Sequence, residues 1–484
     1  MNNFRHFLEK TGEIGVVEEV RSSVISIAGL PRAKLGEKIV LENGQTGQVL
    51  ALEETQVEAL LFGDQPVRVG DRVARTGEVV KIPVGKELLG QVINPLGEPL
   101  LPNGPFRKPE IFRPVEKPPL GIKERVGVNE FLPTGVAIVD LLVPLGKGQR
   151  ELVIGDRKTG KTTFLLQTLV SAIRQGMIGI YALVGKKEVE VKKIVDFLKE
   201  QKIFSRTVIL SASSSDRAGL VWLAPYSAVS LGEYFRDLGK DVLIILDDLS
   251  LHAKYCRELS LQTKRFPGRD SYPVDIFFSH ARLVERGGNF RLKDGGGRAS
   301  ITILPVAETI ASDLSGYIQT NLMSMTDGHI FFDPDLFAAG KRPAINTFLS
   351  VTRVGRQTQT PLLRSLSRNL ISFLAEVEKK QSLVHFGAEI TPEIEEILLK
   401  GELIETFFQQ KSRMIIPINI QIYFLSLIWL GRLGGLKSEE VEKKLEEIVK
   451  KYQKDKEHKM KIDKIIEKSE SWEELLKNVD AKAN

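Results

Sequence analysis

The sequence predicts a multidomain α/β protein, and three changes of texture carry that expectation. Short alternating apolar runs separated by turn signals occupy residues 1–80. From residue 81 to 360, strand-like runs alternate with longer helical segments; after 360 only helical periodicity remains. The expected parts are an N-terminal β-barrel (1–80), a central α/β domain with a mostly parallel sheet (81–360) and a C-terminal helical domain (361–484). A chain of 484 residues exceeds what one core serves.

In the first part, Gly15-Val16-Val17, Val24-Ile25-Ser26-Ile27 and Lys38-Ile39-Val40-Leu41 read as strands, with turns at Glu42-Asn43-Gly44-Gln45 and Gly63-Asp64. It carries no metal or phosphate motif, so a structural or assembly role is expected. The central strands are expected at Leu152–Ile154, Ile178–Val184, Thr207–Leu210, Val242–Leu246, Asp275–Phe278 and Ala299–Pro305. In the last part, Ile422 to Leu430 reads as a buried helix and is too short to span a bilayer. From Lys437 the chain is rich in Glu and Lys, with Val441, Leu445, Ile448, Val449 and Tyr452 on one helical face. The basic cluster Lys450 to Lys456 has Glu442, Glu446 and Glu447 beside it, so it reads as a solvated amphipathic helix.

Composition narrows the function classes. A formal charge of +6, set against 68 basic and 62 acidic residues, is spread along the chain except near the C-terminus and argues against a nucleic-acid partner. The single cysteine, Cys256, excludes an intrachain disulfide and reads as a bystander. The N-terminus, Met1 to Phe7, lacks the apolar core of a signal peptide.

The chemistry enters at Gly155-Asp156-Arg157-Lys158-Thr159-Gly160-Lys161-Thr162, between an apolar strand and a helical run from Thr163 to Ile173. This matches G-x-x-x-x-G-K-[ST], a loop whose backbone N–H groups cradle nucleoside-triphosphate phosphates at a helix N-terminus. Lys161 is expected against the β- and γ-phosphates and the Thr162 hydroxyl on Mg²⁺. A second metal contact needs a carboxylate at a strand end. Leu243-Ile244-Ile245-Leu246-Asp247-Asp248 offers Asp247 for it, with Asp248 free to cap the next helix.

Hydrolysis also needs a residue that orients or polarises water, usually Glu or Gln. The strand after the loop helix ends Ala182-Leu183-Val184-Gly185 and is followed by Lys186-Lys187-Glu188. A lysine is a poor base, so the site reads as built to bind rather than to hydrolyse. Arg353, in Ser350-Val351-Thr352-Arg353-Val354-Gly355, belongs to a residue type that stabilises a transferring phosphoryl group across an interface, although a lone arginine is ordinarily a surface residue.

Taken together, these pieces resemble the alpha subunit of the F-type ATP synthase. The resemblance runs through Gly146-Lys147-Gly148-Gln149-Arg150-Glu151, the loop itself, Leu223 to Ser227, Gly232 to Asp237, Phe266-Pro267-Gly268-Arg269-Asp270, Thr326 to Phe331 and Arg342 to Asn346. It implies a β-barrel, a RecA-like phosphate-loop domain and a helical domain. It also implies three alpha and three beta subunits alternating around a gamma central stalk, with alpha binding Mg-ATP (or ADP) at non-catalytic sites. The assembly would lie on the cytoplasmic face of an energy-transducing membrane, touching it only through the proton- or sodium-translocating membrane sector.

The resemblance assigns roles by position. Gly155 to Thr163 would bind the phosphates; Phe337, Arg342 and Gln410 would lie near the adenine. Arg353 would reach the neighbouring beta subunit's catalytic site, with Ser350 tied to activity. Lys158 and Lys186 stand where glutamines are typical, and tighter nucleotide retention is expected from the added charge. The segment before Glu13 is shorter than usual, which bears on attachment of a peripheral stalk. Two other readings compete: a self-sufficient ring ATPase, either an export motor or an RNA translocase, and an assembly protein with nucleotide as structural glue. The first would need a carboxylate in place of Lys186.

Overall fold

A computed structural model describes residues 3–101, 106–263, 268–292, 297–385 and 391–483. Phe266 and Pro267 of the matched segments lie outside these residues. Two compact units emerge, one comprising Met1–Gly127, Gly176–Thr309 and Asp313–Thr326, the other Val128–Gln175, Ile310–Ser312 and Asp327–Asn484.

The first unit begins with a helix, Asn3–Thr11, that buries Phe4 against Val40 and Ala74. Six antiparallel strands follow: β1 (Ile14–Arg21), β2 (Val24–Ala28), β3 (Glu37–Leu41), β4 (Thr46–Leu52), β5 (Gln56–Leu61) and β6 (Arg72–Val79). They close into a barrel in the order β1-β2-β5-β4-β3-β6. Its core is made of inward-facing residues such as Val17, Ile25, Ile27, Ile39, Leu41, Val49, Ala59, Leu61 and Val73. Closure leaves no unpaired strand edge.

The same unit holds a parallel set of strands in the order Val92–Ile93, Thr207–Ser213, Ile178–Lys186, Val242–Asp247 and Arg298–Glu308. The short strand Gly288–Arg291 adds antiparallel to the last of these. The residues of Ile178–Gly185 and Val242–Asp247 are all buried, as parallel strands covered by helices require. Helices Glu188–Glu200, Ala218–Asp237 and Leu249–Gln262 pack against them. A bidentate Arg286–Glu233 pair at 2.9 and 3.1 Å, joined by Lys117 at 2.8 Å, gives the matched segment Gly232 to Asp237 a structural role.

One expected strand is a helix. Residues 276–284 form Ile276–Val284, with Ile276, His280, Leu283 and Val284 buried. That spacing is helical, and the run Ile276-Phe277-Phe278 is too short for its periodicity to separate strand from helix.

In the second unit, strand Glu151–Gly155 pairs in parallel with Gly328–Phe332, which carries the short antiparallel strand Val351–Thr352. Helix Lys161–Arg174 leaves the first of these strands through the loop. The rest is helical: Pro361–His385, Pro392–Phe408, Ile418–Trp429, Ser438–Lys454, Lys456–Glu467 and Trp472–Ala483. Phe407 stacks on Phe424 with centroids 5.3 Å apart, and Trp429 meets Trp472 edge-on at 5.6 Å. Val441, Leu445, Val449 and Tyr452 are buried and Ile448 half-buried, so the Glu/Lys-rich helix is amphipathic as its sequence predicts. Among the described residues, no helix is long and apolar enough to cross a membrane.

Candidate functional site

The loop takes its shape from two glycines. Gly155 ends its buried strand at φ 154°, and a Cβ there would stand 2.3 Å from the Phe332 carbonyl oxygen. Gly160, at φ 102°, turns the chain into helix Lys161–Arg174. Between them, Lys158 is exposed and left-handed at φ 63°, with Arg157 exposed beside it. The Thr159 hydroxyl donates to the Asp156 carbonyl at 2.7 Å, and the Asp156 carboxylate accepts from the Ser312 N–H at 3.1 Å. Lys161 Nζ donates to the Gly155 and Asp156 carbonyls, each at 2.6 Å, so its ammonium lies inside the loop's own ring. Thr162 is exposed and Thr163 half-buried on the first helical turn. Helix-start N–H groups around a fixed ammonium form an anion cradle.

Phe337, Arg342 and Gln410 come together. Strand Gly328–Phe332 leads into helix Pro334–Ala338, which carries Phe337. The Arg342 guanidinium lies 3.4 Å from the Phe337 ring centroid and donates to the Phe337 carbonyl at 2.7 Å. The Gln410 N–H donates to the Arg342 carbonyl at 2.7 Å. Its side chain is buried and spent on backbone: Nε2 donates to Gly135 O at 2.7 Å and Met414 O at 2.6 Å, and Oε1 accepts from Ala137 N–H at 3.2 Å. Gln410 therefore fixes Arg342 in place, while Phe337 and Arg342 offer a flat stacking surface.

Ser350 and Arg353 sit at either end of the short strand Val351–Thr352. The Ser350 hydroxyl donates to the Asn346 carbonyl at 2.6 Å and accepts from the Phe331 N–H at 3.0 Å. Arg353 is exposed, and its N–H donates to the Asp327 carbonyl at 2.9 Å. Asp327 is itself gripped by Arg150 in a two-toothed pair at 2.6 and 3.0 Å. Gln149 Nε2 bridges the buried Glu151 carboxylate at 2.7 Å and the Thr352 hydroxyl at 3.1 Å. Burial pushes Glu151 well above the usual carboxylate range, despite the Gln149 hydrogen bond and the nearby Arg353 charge. Sequence reasoning missed Gln149, Glu151 and Asp327 as the framework under Arg353. Their signal lay in the segments Gly146 to Glu151 and Thr326 to Phe331, which were read only as marks of resemblance.

Lys186 and Asp247 belong to the first unit. Lys186 ends strand Ile178–Lys186, beside strand Val242–Asp247. Its Nζ lies 3.0 Å from Asp247 Oδ1, 3.0 Å from Asp248 Oδ2 and 4.0 Å from Glu308 Oε1. Asp247 Oδ2 also accepts from the Tyr181 hydroxyl at 2.9 Å. Asp248 caps helix Leu249–Gln262 through Oδ1, which accepts from the Leu251 N–H at 2.5 Å. Burial alone would lower the Lys186 pKa; attraction to Asp247, then Asp248, outweighs it and raises the ammonium above its ordinary value. An ammonium so held accepts no proton from water. Each Asp247 oxygen already has one partner, Oδ1 the Lys186 ammonium and Oδ2 the Tyr181 hydroxyl.

The chain can be placed among known proteins from here. The nucleotide-binding domain of the ATP synthase alpha/beta family matches residues 135–352, which include the loop and end one residue before Arg353. ATP synthase subunit alpha of Clostridium acetobutylicum is 40% identical over 417 residues, covering 86% of this chain and 82% of the relative. The subunit alpha of Macrococcus caseolyticus is 39% identical over 430 residues, covering 89% and 85%. The chain belongs to the ATP synthase subunit alpha family.

Proposed function

We propose that the chain is the nucleotide-binding, non-hydrolysing alpha subunit of a rotary ATP synthase. In this reading it alternates with beta subunits around a gamma stalk and donates Arg353 in trans to the beta catalytic site. The observation that carries it is Lys186: where hydrolysis needs a base or a water-orienting amide, an ammonium is fixed between two carboxylates. ATP or ADP would lie with its phosphates on Gly155–Thr163 and its base against Phe337 and Arg342. Thr162 keeps an exposed hydroxyl for a nucleotide-borne Mg²⁺. Arg353 is exposed just after the strand Val351–Thr352, with its own N–H held by the Asp327 carbonyl, as a residue reaching a neighbour must be. Proton or sodium translocation would belong to the membrane sector, through which the subunit meets the membrane at its cytoplasmic face. A self-sufficient ring ATPase is disfavoured by the same lysine.

The test is a complex reconstituted from this chain with its beta and gamma partners. Arg353→Ala should leave assembly intact and lower the hydrolysis rate by about 10³–10⁵, the range for arginines donated to a phosphoryl group. Full activity in that variant would remove the trans role.

A further inference from the structure

Arg353 is exposed, yet the backbone that carries it is held on both sides within the second unit. Its own N–H donates to the Asp327 carbonyl at 2.9 Å. The Thr352 hydroxyl before it donates to the Pro144 carbonyl at 3.0 Å and accepts from the Gly355 N–H at 3.1 Å and from Gln149 Nε2 at 3.1 Å. The Gln149 amide is fixed in turn. Its Oε1 accepts from the Gly146 N–H at 2.8 Å, and Nε2 also donates to Glu151 Oε2 at 2.7 Å.

Glu151 reaches that amide because of a glycine. Strand register sets Glu151, Gly328 and Thr352 in one row across three strands, so all three present the same face. A Cβ on Gly328 would stand 2.6 and 2.8 Å from the two Glu151 oxygens, so the carboxyl lies where a side chain would otherwise be. The residue is fully buried, and Oε1 has no hydrogen-bond partner among the described residues. Burying an unpartnered polar atom costs about 1–3 kcal/mol, which an aliphatic side chain of the same size would avoid. What the carboxyl supplies, and an aliphatic chain could not, is the acceptor that holds Gln149.

We propose that Glu151 is a positioning residue for the reaction in the neighbouring subunit: by accepting from Gln149 across the Gly328 gap, it locks the Thr352 hydroxyl and so sets the direction in which Arg353 leaves the chain. This rests on the trans role of Arg353 given above. Glu151 is buried and touches no reacting atom; its whole effect passes through the arginine. A misplacement of about 1 Å in a group that meets a transferring phosphoryl costs about 10²-fold in rate, so a buried anchor three residues removed has leverage on the chemistry.

The experiment is steady-state ATP hydrolysis by the complex reconstituted with beta and gamma subunits, with assembly checked by gel filtration. Glu151→Leu keeps the volume and removes the acceptor; it should lower kcat by about 10²-fold and leave KM unchanged. Glu151→Gln keeps an acceptor oxygen at the same reach and should rescue the rate. The double variant Glu151→Leu, Arg353→Ala should be no slower than Arg353→Ala alone, because one residue acts through the other. If Glu151→Leu does not assemble, Glu151→Asp, one methylene too short to reach Gln149, takes its place with the same expected loss. Wild-type kcat in Glu151→Leu, beside a slow Arg353→Ala, overturns the inference and leaves the trans role standing. An equal further loss from Glu151→Leu in the Arg353→Ala background also overturns it, since that is general damage to the fold. Full activity in Arg353→Ala removes the trans role itself, and this inference with it.

Discussion

Lys186 Nζ and Asp247 Oδ1 lie 3.0 Å apart, at the ends of two adjacent parallel strands. Asp248 receives the same ammonium at the same distance and caps the following helix. A position where hydrolysis would call for a carboxylate is therefore occupied by the cation that two other carboxylates need.

Restoring a catalytic-type carboxylate there should fail for that reason. Lys186→Glu would put a third negative group against Asp247 and Asp248 in a largely buried setting. Breaking a buried pair costs about 3–5 kcal/mol, and like charge adds to that. The expected outcome is a large drop in melting temperature with no gain of ATP turnover. A stable variant that hydrolyses ATP would show that Lys186 is replaceable.

The loop should tolerate no side chain at Gly155. A Cβ there meets the Phe332 carbonyl oxygen at 2.3 Å, whereas Gly176, at φ 95°, has nothing within 4 Å of the same atom. Gly155→Ala should abolish retention of nucleotide. Gly176→Ala should cost only about 1 kcal/mol of backbone strain and leave binding unchanged. Thermal melts and filter binding of the two variants side by side would decide it; equal effects would mean that the close approach does not matter.

Acid should attack the first unit through two buried histidines. His252 Nδ1 and His280 Nε2 share a hydrogen bond at 2.9 Å, and His252 Nε2 pairs with the Trp222 carbonyl. Burial drives His252 down to about 4 and His280 well below its ordinary value. A histidine depressed on folding contributes stability above its unfolded pKa, near 6.5, and loses it as pH falls. For His252 that window runs from 6.5 to about 4, at about 1.4 kcal/mol per pH unit. Chemical denaturation from pH 7 to pH 4 should show His252→Asn losing less stability than wild type; parallel curves would exclude the histidine contribution.

The parts of the site that lie on continuous sequence were legible without a structure. The loop, its strand and its helix occupy one run, and their spacing fixes their geometry. Asp248 as a helix cap was equally readable, since a cap and its helix are neighbours. Lys186 could be singled out by position, but its bond to Asp247 joins strands some 60 residues apart and depends on their parallel register. Gln410 was expected near a base, yet tertiary packing turns its amide toward three backbone groups. The framework beneath Arg353 was missed for the same reason, because Gln149, Glu151 and Asp327 acquire their roles only when three strands align.

The central claim, a subunit that binds nucleotide without splitting it, has a direct test. The purified chain would be loaded with radiolabelled ATP, freed of excess nucleotide, incubated, and its bound nucleotide identified after acid quench. Recovery of intact ATP is the predicted result. Steady conversion to ADP and phosphate over many turnovers, in the absence of any beta subunit, would contradict it.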